Sequence, residues 1–281
     1  MKKVEQPVRV VIHGALGRMG TRLLQLAMAD SGLRVAGAIE RADHPRLGQD
    51  VGPLAGLEPL GVQLTGAMPE GVGAGDVVID FTAPGALREL IPQAAARGCA
   101  LVVGTTGLEA GDRALLRAAA ERVPVMAASN YSRAVHVLAR LVGEAARLLG
   151  EAADVEIVER HHRYKQDAPS GTALRLARAV MEARGPARLV HGREGITGER
   201  PRGDIGMHAL RTGDNPGEHT VVFGLMGECL ELSHRALNRD GFVLGALAAA
   251  KHLAGKPAGE YPVEEVVFGT VMPGGSGEER R

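Results

Sequence analysis

A short β-branched run, Val8 to Ile12, passes at once into the glycine-punctuated stretch His13 to Gly20. That stretch opens onto a helical segment, Thr21 to Ala29, in which Leu23, Leu24, Leu26, Ala27 and Met28 supply the apolar positions. Parallel strands cannot be joined by a tight hairpin; they need a crossover, usually a helix. The alternation continues. Leu33 to Ile39 is a second strand, and Asp76 to Phe81 precedes helical composition over Ala86 to Arg97. Ala100 to Val103 and Val123 to Ala127 then flank the alanine-rich helix Ala110 to Arg122. The expectation is an α/β domain, a doubly wound parallel sheet with helices on both faces.

After Tyr131 the texture changes. Ala134 to Leu149 is one long helical pattern. Asp154 to Glu159 alternates, with Val155 and Ile157 on one face and Glu156 on the other, as a half-buried strand does. Leu189 to Asp214 is rich in Gly, Arg and polar residues, and Thr220 to Ser233 contains further short strands. Gly241 to Ala254 is helical again, and Pro273 to Arg281 reads as a frayed tail. The plan expected is a first domain over 1–131, an inserted antiparallel α+β lobe over 132–240, and a segment over 241–281 that returns to the first domain.

Composition narrows the function classes. With 33 basic and 33 acidic side chains the chain has no net pull on nucleic acid or anionic lipid, so neither partner is expected. Aromatic residues are only 2 %, which makes the core aliphatic and nearly excludes a base-stacking platform. Cys99 and Cys229 are far apart, which argues against a disulfide framework or a thiolate metal site. The first residues, MKKVEQPVRVVIHGALG, contain no apolar run long enough for a signal core or a membrane span. A soluble, cytoplasmic protein is expected.

Gly14, Gly17 and Gly20 lie between strand and helix, where free backbone N–H groups and the positive end of the helix dipole suit a pyrophosphate. Leu16 stands where the second glycine of G-x-G-x-x-G would be, so the turn could also be a plain glycine turn. Glu40, closing the second strand, is at the separation that ribose recognition requires, and Arg41 can face an adenosine 2′-phosphate or cover the adenine. The plainer alternative is two solvated charges. Asp80-Phe81-Thr82, Gly104-Thr105-Thr106-Gly107 and Ser129-Asn130-Tyr131 sit at expected carboxyl ends of strands, where such sheets bind ligands, although tight turns alone also suit these residues.

The densest chemistry is ERHHRYKQDAPSGT, Glu159 to Thr172. It combines paired imidazoles, concentrated positive charge and a Pro-Ser-Gly-Thr turn that opens a helix. The first N–H groups of that helix, from about Gly171 and Thr172, make a second anion site, and Lys165 and Arg163 add point charge. A small dicarboxylate is the natural guest. Metal binding by His161-His162 is disfavoured because neighbours on an extended chain point to opposite sides, and no metal is expected. A solvated basic loop is the bland alternative. His13, His44, His191, His208, His219, His234 and His252 read as ordinary surface or packing histidines.

Taken together, GALGRMG, IDFTAPGAL, VVGTTG, ASNYS, ERHHRYKQDAPSGTAL, REGITGERPRGDIGMHALRTGDNPGEHTV and FVLGALAAAKHLAGKPAGEY resemble the 4-hydroxy-tetrahydrodipicolinate reductase (dihydrodipicolinate reductase) family over nearly the whole length. The resemblance implies a Rossmann-type sheet with an inserted α+β substrate and oligomerisation domain, usually a homotetramer, and a hydride drawn from NADH or NADPH in lysine and diaminopimelate biosynthesis. It implies His161 as proton donor, Lys165 as second catalytic residue, and His162, Gly171 and Thr172 as substrate contacts. Cofactor contacts implied in the first domain are Gly14, Ala15, Leu16, Gly17, Arg18, Met19, Glu40 and Arg41. Further along they are Gly104, Thr105, Thr106, Ala128, Ser129, Asn130 and Tyr131. Leu16 and Ala134 depart from glycines found in family members.

That reaction suits the residues. Hydride delivered to ring C4 of a conjugated cyclic imine leaves an enamine that needs a proton on the adjacent carbon, and imidazole is suited to that duty near neutrality. Lys165 can hold a carboxylate and stabilise charge as it develops. The alternatives are another two-domain Rossmann reductase, such as a semialdehyde or amino-acid dehydrogenase, or a non-catalytic nicotinamide sensor. The first in its acylating form needs a reactive cysteine, and Cys99 looks buried. The second needs neither His161 nor Lys165.

Overall fold

The central strands of the first unit feed two cores at once, because successive side chains leave a strand on opposite faces. The computed structural model describes residues 6–269 and divides into two compact units. One takes the described residues up to Tyr131 and from Phe242 onward; the other is Ser132–Gly241. The tail from Pro273, expected to fray, lies outside the described residues.

In chain order the first unit contains β1 (Val8–His13), α1 (Arg18–Met28), β2 (Leu33–Ile39), α2 (Val51–Leu54), β3 (Leu64–Thr65), β4 (Val77–Asp80) and α3 (Pro84–Ala96). These are followed by β5 (Ala100–Val103), α4 (Ala110–Ala120) and β6 (Pro124–Ala127). Val10, Ile12, Ile79, Val102 and Met126 pack on one face with Leu23, Leu24 and Ala27 of α1. Val11, Val78, Leu101, Val103 and Val125 pack on the other with Leu87, Leu90 and Ile91 of α3 and Leu116 of α4. Burying one such aliphatic side chain contributes about 1.5–3 kcal/mol. Two aliphatic cores therefore replace the aromatic core this composition lacks.

The second unit contributes α5 (Arg133–Leu149), β7 (Asp154–His161), α6 (Gly171–Arg184), β8 (Leu189–His191), β9 (Ile205–Arg211), β10 (Glu218–Leu225) and β11 (Glu228–Arg235). The chain then re-enters the first unit through α7 (Asp240–Leu253), β12 (Gly259–Glu260) and α8 (Glu264–Phe268). Val243, Ala246, Leu247, Ala250 and Leu253 of α7 join the α1 face of the first core.

The first sheet is wholly parallel, in the order β12-β6-β5-β4-β1-β2-β3. The chain therefore reverses direction of growth between β1 and β4, the topological switch point at which such sheets bind ligands. It is the Rossmann-type arrangement. The short elements α2, β3, β8, β12 and α8 had no counterpart in the sequence reading, since two to five residues are too few to display a period; β9 was also missed, within a stretch read only as rich in Gly, Arg and polar residues.

The second sheet corrects the expectation of an antiparallel lobe. Its order is β11-β10-β7-β9-β8, and β7 pairs parallel with β9, as does β8. Only β10 pairs antiparallel with β7 and β11. The crossover through α6 returns the chain so that β8 runs the same way as β7, and the connection over 192–204 returns it once more so that β9 runs parallel between them. Leu138, Val142 and Ala146 of α5 and Leu176 and Val180 of α6 cover Ile157, Val221 and Phe223 of this sheet.

Candidate active site

In the first unit the turn after β1 is held tightly. Gly14 and Ala15 donate their N–H groups to Ile39 O at 2.9 and 3.1 Å, and Gly17 donates to Gly14 O at 3.0 Å. Gly14 has φ +75°, and a Cβ on Gly20 would lie 2.0 Å from Gly14 O, so the helix can pack this closely on the turn only with glycine there. No side chain caps α1 at Gly17, which leaves the first-turn N–H groups directed outward from an exposed Gly17 and Arg18. Glu40 Oε1 accepts from Leu16 N–H at 2.9 Å, so the carboxylate at the end of β2 is fixed against the turn. Arg41 pairs with Asp43 at 3.1 Å, but both side chains are exposed, and such a pair is worth about 0–1 kcal/mol and does not immobilise Arg41. An uncapped helix start with a fixed carboxylate beside it fits a pyrophosphate and an adenosine ribose.

Other expected cofactor residues divide by burial. Gly104 is buried against the Phe81 ring, which a Cβ there would meet at 2.2 Å. The Thr105 hydroxyl donates to Asp80 Oδ2 at 2.5 Å and accepts from Thr82 N–H at 2.9 Å, while Thr106 is exposed. Ala128 N–H donates to Val103 O at 3.0 Å. The Tyr131 ring is 1 % exposed, and its hydroxyl lies 2.9 and 3.0 Å from the carbonyls of Met126 and Val103, so it holds this strand end from within. Ser129 is exposed and Asn130 half-buried. His13, read as an ordinary histidine, is instead buried with Nδ1 2.7 Å from the fully buried Asp80 carboxylate, which also accepts from Thr82 Oγ1 at 2.7 Å. Register between β1 and β4 sets that pairing.

The second unit assembles a different kind of site. β7 extends two residues beyond the expected Glu159, so His161 is its last residue and is buried. His161 Nδ1 lies 2.6 Å from Glu159 Oε2. Arg211, the last residue of β9, donates from Nη1 and Nη2 to the two Glu159 oxygens, each at 2.8 Å, and Ser170 N–H donates to Oε1 at 3.0 Å. Burial alone would raise the Glu159 pKa; hydrogen bonds from His161 and Arg211 outweigh it and hold the group at about 2. Glu159 is therefore an ionised acceptor at neutral pH. The proton of Nδ1 is committed to it, and Nε2 is the nitrogen left for exchange.

Gly217 lies beside that nitrogen. It has φ +148°, and a Cβ there would sit 2.8 Å from His161 Nε2. The absence of a side chain keeps the Nε2 edge open. Behind His161 stand His219 in β10, edge-on at 5.1 Å between ring centroids, and then His234 in β11 at 6.0 Å from His219. His219 is 3 % exposed, its Nε2 lies 3.2 Å from Ser170 Oγ, and its Nδ1 has no partner. Desolvation first, then the neighbouring imidazoles, lower its pKa to about 3. His234 is a packing histidine, as expected, whereas His219 is buried beside His161 and bonded to Ser170. His208, whose Nε2 is 2.7 Å from Glu156, and His252, 3.0 Å from Glu265, are part-exposed histidines held by carboxylates.

Ser170 caps α6, its hydroxyl accepting from Ala173 N–H at 3.1 Å; Gly171 and Thr172 form the first turn ahead of that bond. Lys165 Nζ lies 2.7 Å from Asp167 Oδ1, with the lysine side chain 21 % exposed and the aspartate 62 %. His162 is half-buried, anchored by its N–H on Asn215 O at 2.8 Å, and its ring stands 6.2 Å from Tyr164. The paired imidazoles thus have separate surroundings. One cation, one buried imidazole with an open nitrogen, and a helix start lie along a single segment, which suits an anionic substrate that must receive a proton.

Comparison with known proteins agrees on both halves. The sequence profile described as dihydrodipicolinate reductase, N-terminus, matches residues 8–131, and that of the C-terminus matches 134–267. The chain belongs to the dihydrodipicolinate reductase family. It is 48 % identical over 262 residues to the 4-hydroxy-tetrahydrodipicolinate reductase of Anaeromyxobacter dehalogenans strain 2CP-1, covering 92 % of this chain and 97 % of the relative. The enzyme of the same name from Rhodopirellula baltica is 44 % identical, covering 88 % and 90 %. In fold it is similar to a dipicolinate-bound dihydrodipicolinate reductase from Paenisporosarcina sp. TG-14, with a TM-score of 0.68 at 23 % identity over 91 % of this chain and 97 % of that one. Membership of this reductase family makes the chain an oxidoreductase whose cofactor is NADH or NADPH. Cys99 does not compete as a nucleophile: it is fully buried, and desolvation, then Asp76, push its thiol up to about 11. Among the described residues no helix is long and apolar enough to cross a membrane.

The residues that sequence reasoning missed are Arg211, Gly217 and His219, together with a role for Glu159. Arg211, Gly217 and His219 lie in REGITGERPRGDIGMHALRTGDNPGEHTV and Glu159 opens ERHHRYKQDAPSGTAL, so their one signal was membership of these family-like segments.

Proposed function

We propose that the protein reduces 4-hydroxy-tetrahydrodipicolinate, by way of dihydrodipicolinate, to tetrahydrodipicolinate in lysine and diaminopimelate biosynthesis. The observation that carries this reading is His161, with Nδ1 committed to Glu159 and Nε2 left open beside Gly217. In this reading the unit containing Gly14–Met19 and Glu40 binds the dinucleotide, and Ser132–Gly241 binds substrate. Reduced nicotinamide, when bound, supplies the hydride for ring C4. His161 then gives its Nε2 proton to the adjacent carbon, completing addition of one hydride and one proton. Lys165 leaves or shares Asp167 to hold a substrate carboxylate and stabilise charge developing toward the ring nitrogen. The N–H groups of Gly171 and Thr172 and the His162 side chain take the other carboxylate. Glu40 accepts from the adenosine ribose, and Arg41 faces a 2′-phosphate when NADPH is used. A homotetramer in the cytoplasm belongs to the same reading.

The test is loss of reduced-nicotinamide absorbance when enzymatically generated substrate is added, with each cofactor in turn. No turnover with either one, from a protein that binds both, would favour the nicotinamide-sensing alternative. Light scattering at working concentration checks assembly; a lone protomer removes the tetramer.

A further inference from the structure

Three groups converge on Glu159, and all of them donate to its carboxylate. The carboxylate is 1 % exposed and is shared between the His161 imidazole at 2.6 Å and the Arg211 guanidinium at 2.8 Å on both oxygens. Its third donor is the backbone N–H of Ser170, the residue that caps α6. Arg211 also donates to Asp167 O at 2.6 Å, in the loop that carries Lys165. One buried carboxylate thus ties together the imidazole, the helix start and the lysine loop.

We propose that Glu159 and Arg211 are opposed positioning residues for His161: the carboxylate orients the imidazole and favours its protonated form, and the guanidinium limits how strongly it does so. The inference rests on His161 being the proton donor. Its physical basis is that a carboxylate facing an imidazole stabilises the cation, while a cation drawing on the same carboxylate weakens that effect. The other charged or titratable groups around His161 are His219 from β10, with His234 of β11 behind it, and Lys165 and Asp167 in the following loop. Desolvation and the neighbouring imidazoles keep His219 neutral, so among these groups Glu159 is the charge in direct contact with the His161 ring. Its own charge is secure, since the carboxyl is held at about 2.

The experiment follows the imidazole signals of histidine-labelled, full-length protein by NMR across pH, with His161 assigned by its loss in His161→Asn. The pH profile of kcat is recorded alongside. Glu159→Gln keeps shape and removes charge; the His161 titration midpoint and the alkaline limb of kcat should both move down by about 1–3 pH units, the usual effect of losing an opposite charge at this range. Arg211→Gln should move both up, and Arg211→Lys should stay near the parent. If Glu159→Gln fails to fold, the contrast between the two Arg211 variants carries the test. Midpoints that stay put, or that move the same way in Glu159→Gln and Arg211→Gln, overturn the proposal. His161→Ala with near-normal kcat overturns the underlying acid assignment instead, so the two failures are distinguishable.

Discussion

Helix α1 begins at Gly17 with no side chain capping it, whereas α6 begins at Ser170, whose hydroxyl is already bonded to Ala173 N–H. Both ends present backbone N–H groups and a positive dipole to an anion. The first is built almost wholly from backbone, with Glu40 as its one fixed carboxylate. The second is surrounded by His161, Lys165, Arg211 and Glu159, all in direct contact with one another or with the loop between them. Under the proposed function the difference matches two tasks. Holding a pyrophosphate needs closely packed donors and little chemistry, so glycine suffices. Handing over a proton needs groups whose charge changes, and those must be placed by side-chain hydrogen bonds from several strands.

If that division is right, the largest effect lies in the second unit. His161→Ala should lower kcat about 10²–10⁴-fold, the range for general acid–base catalysis, with a smaller change in KM and unchanged cofactor binding by fluorescence titration. Lys165→Ala comes next. It should raise KM and lower kcat together, with kcat/KM falling roughly 10–100-fold, as expected for a lost charge-assisted hydrogen bond. The double variant should lose less than the product of the two, since both act on one transition state. Full multiplicativity in steady-state kinetics would separate their roles.

The first unit should respond in binding alone. Glu40→Ala should weaken NADH more than NADPH, by roughly 5–10-fold, corresponding to one net hydrogen bond. Equal losses measured by calorimetry would mean that Glu40 acts only through its bond to Leu16 N–H and never reaches the ribose. A change in kcat with saturating cofactor would break the comparison outright.

The smallest effect at neutral pH is on stability, and it grows on acidification. His219 is held at about 3, below its ordinary value, so the unfolded chain takes up the proton first and stability falls as pH drops from about 6.5 toward 3. Glu159 and Glu156, each held at about 2, contribute stability that is present above about 4.5 and lost as pH falls toward 2. Urea unfolding across this range should be steeper in the parent than in His219→Asn between about pH 6 and 4. Identical slopes would mean that His219 is not protonated on unfolding.

How much of this was legible depended on separation along the chain. β2 and β5 were readable to the residue, and β4 nearly so: β4 and β5, buried on both faces, appear as continuous apolar runs, and β2 breaks its run only at exposed Arg34. The glycine turn and the Glu159 to Thr172 segment were visible because their donors and charges are neighbours in sequence. Glu159 was in view, but its partner Arg211 is 52 residues away and reaches it only because β9 returns parallel to β7. Gly217 looked like any loop glycine until β10 set it against His161, and His13 looked ordinary until β1 paired with β4 beside Asp80. Local periodicity, turn chemistry and charge content were thus determined by the sequence alone, since they depend on residues a few positions apart. The proton environment of His161 was decided by strand order and register, because a buried carboxylate acquires its partners only when distant strands close around it.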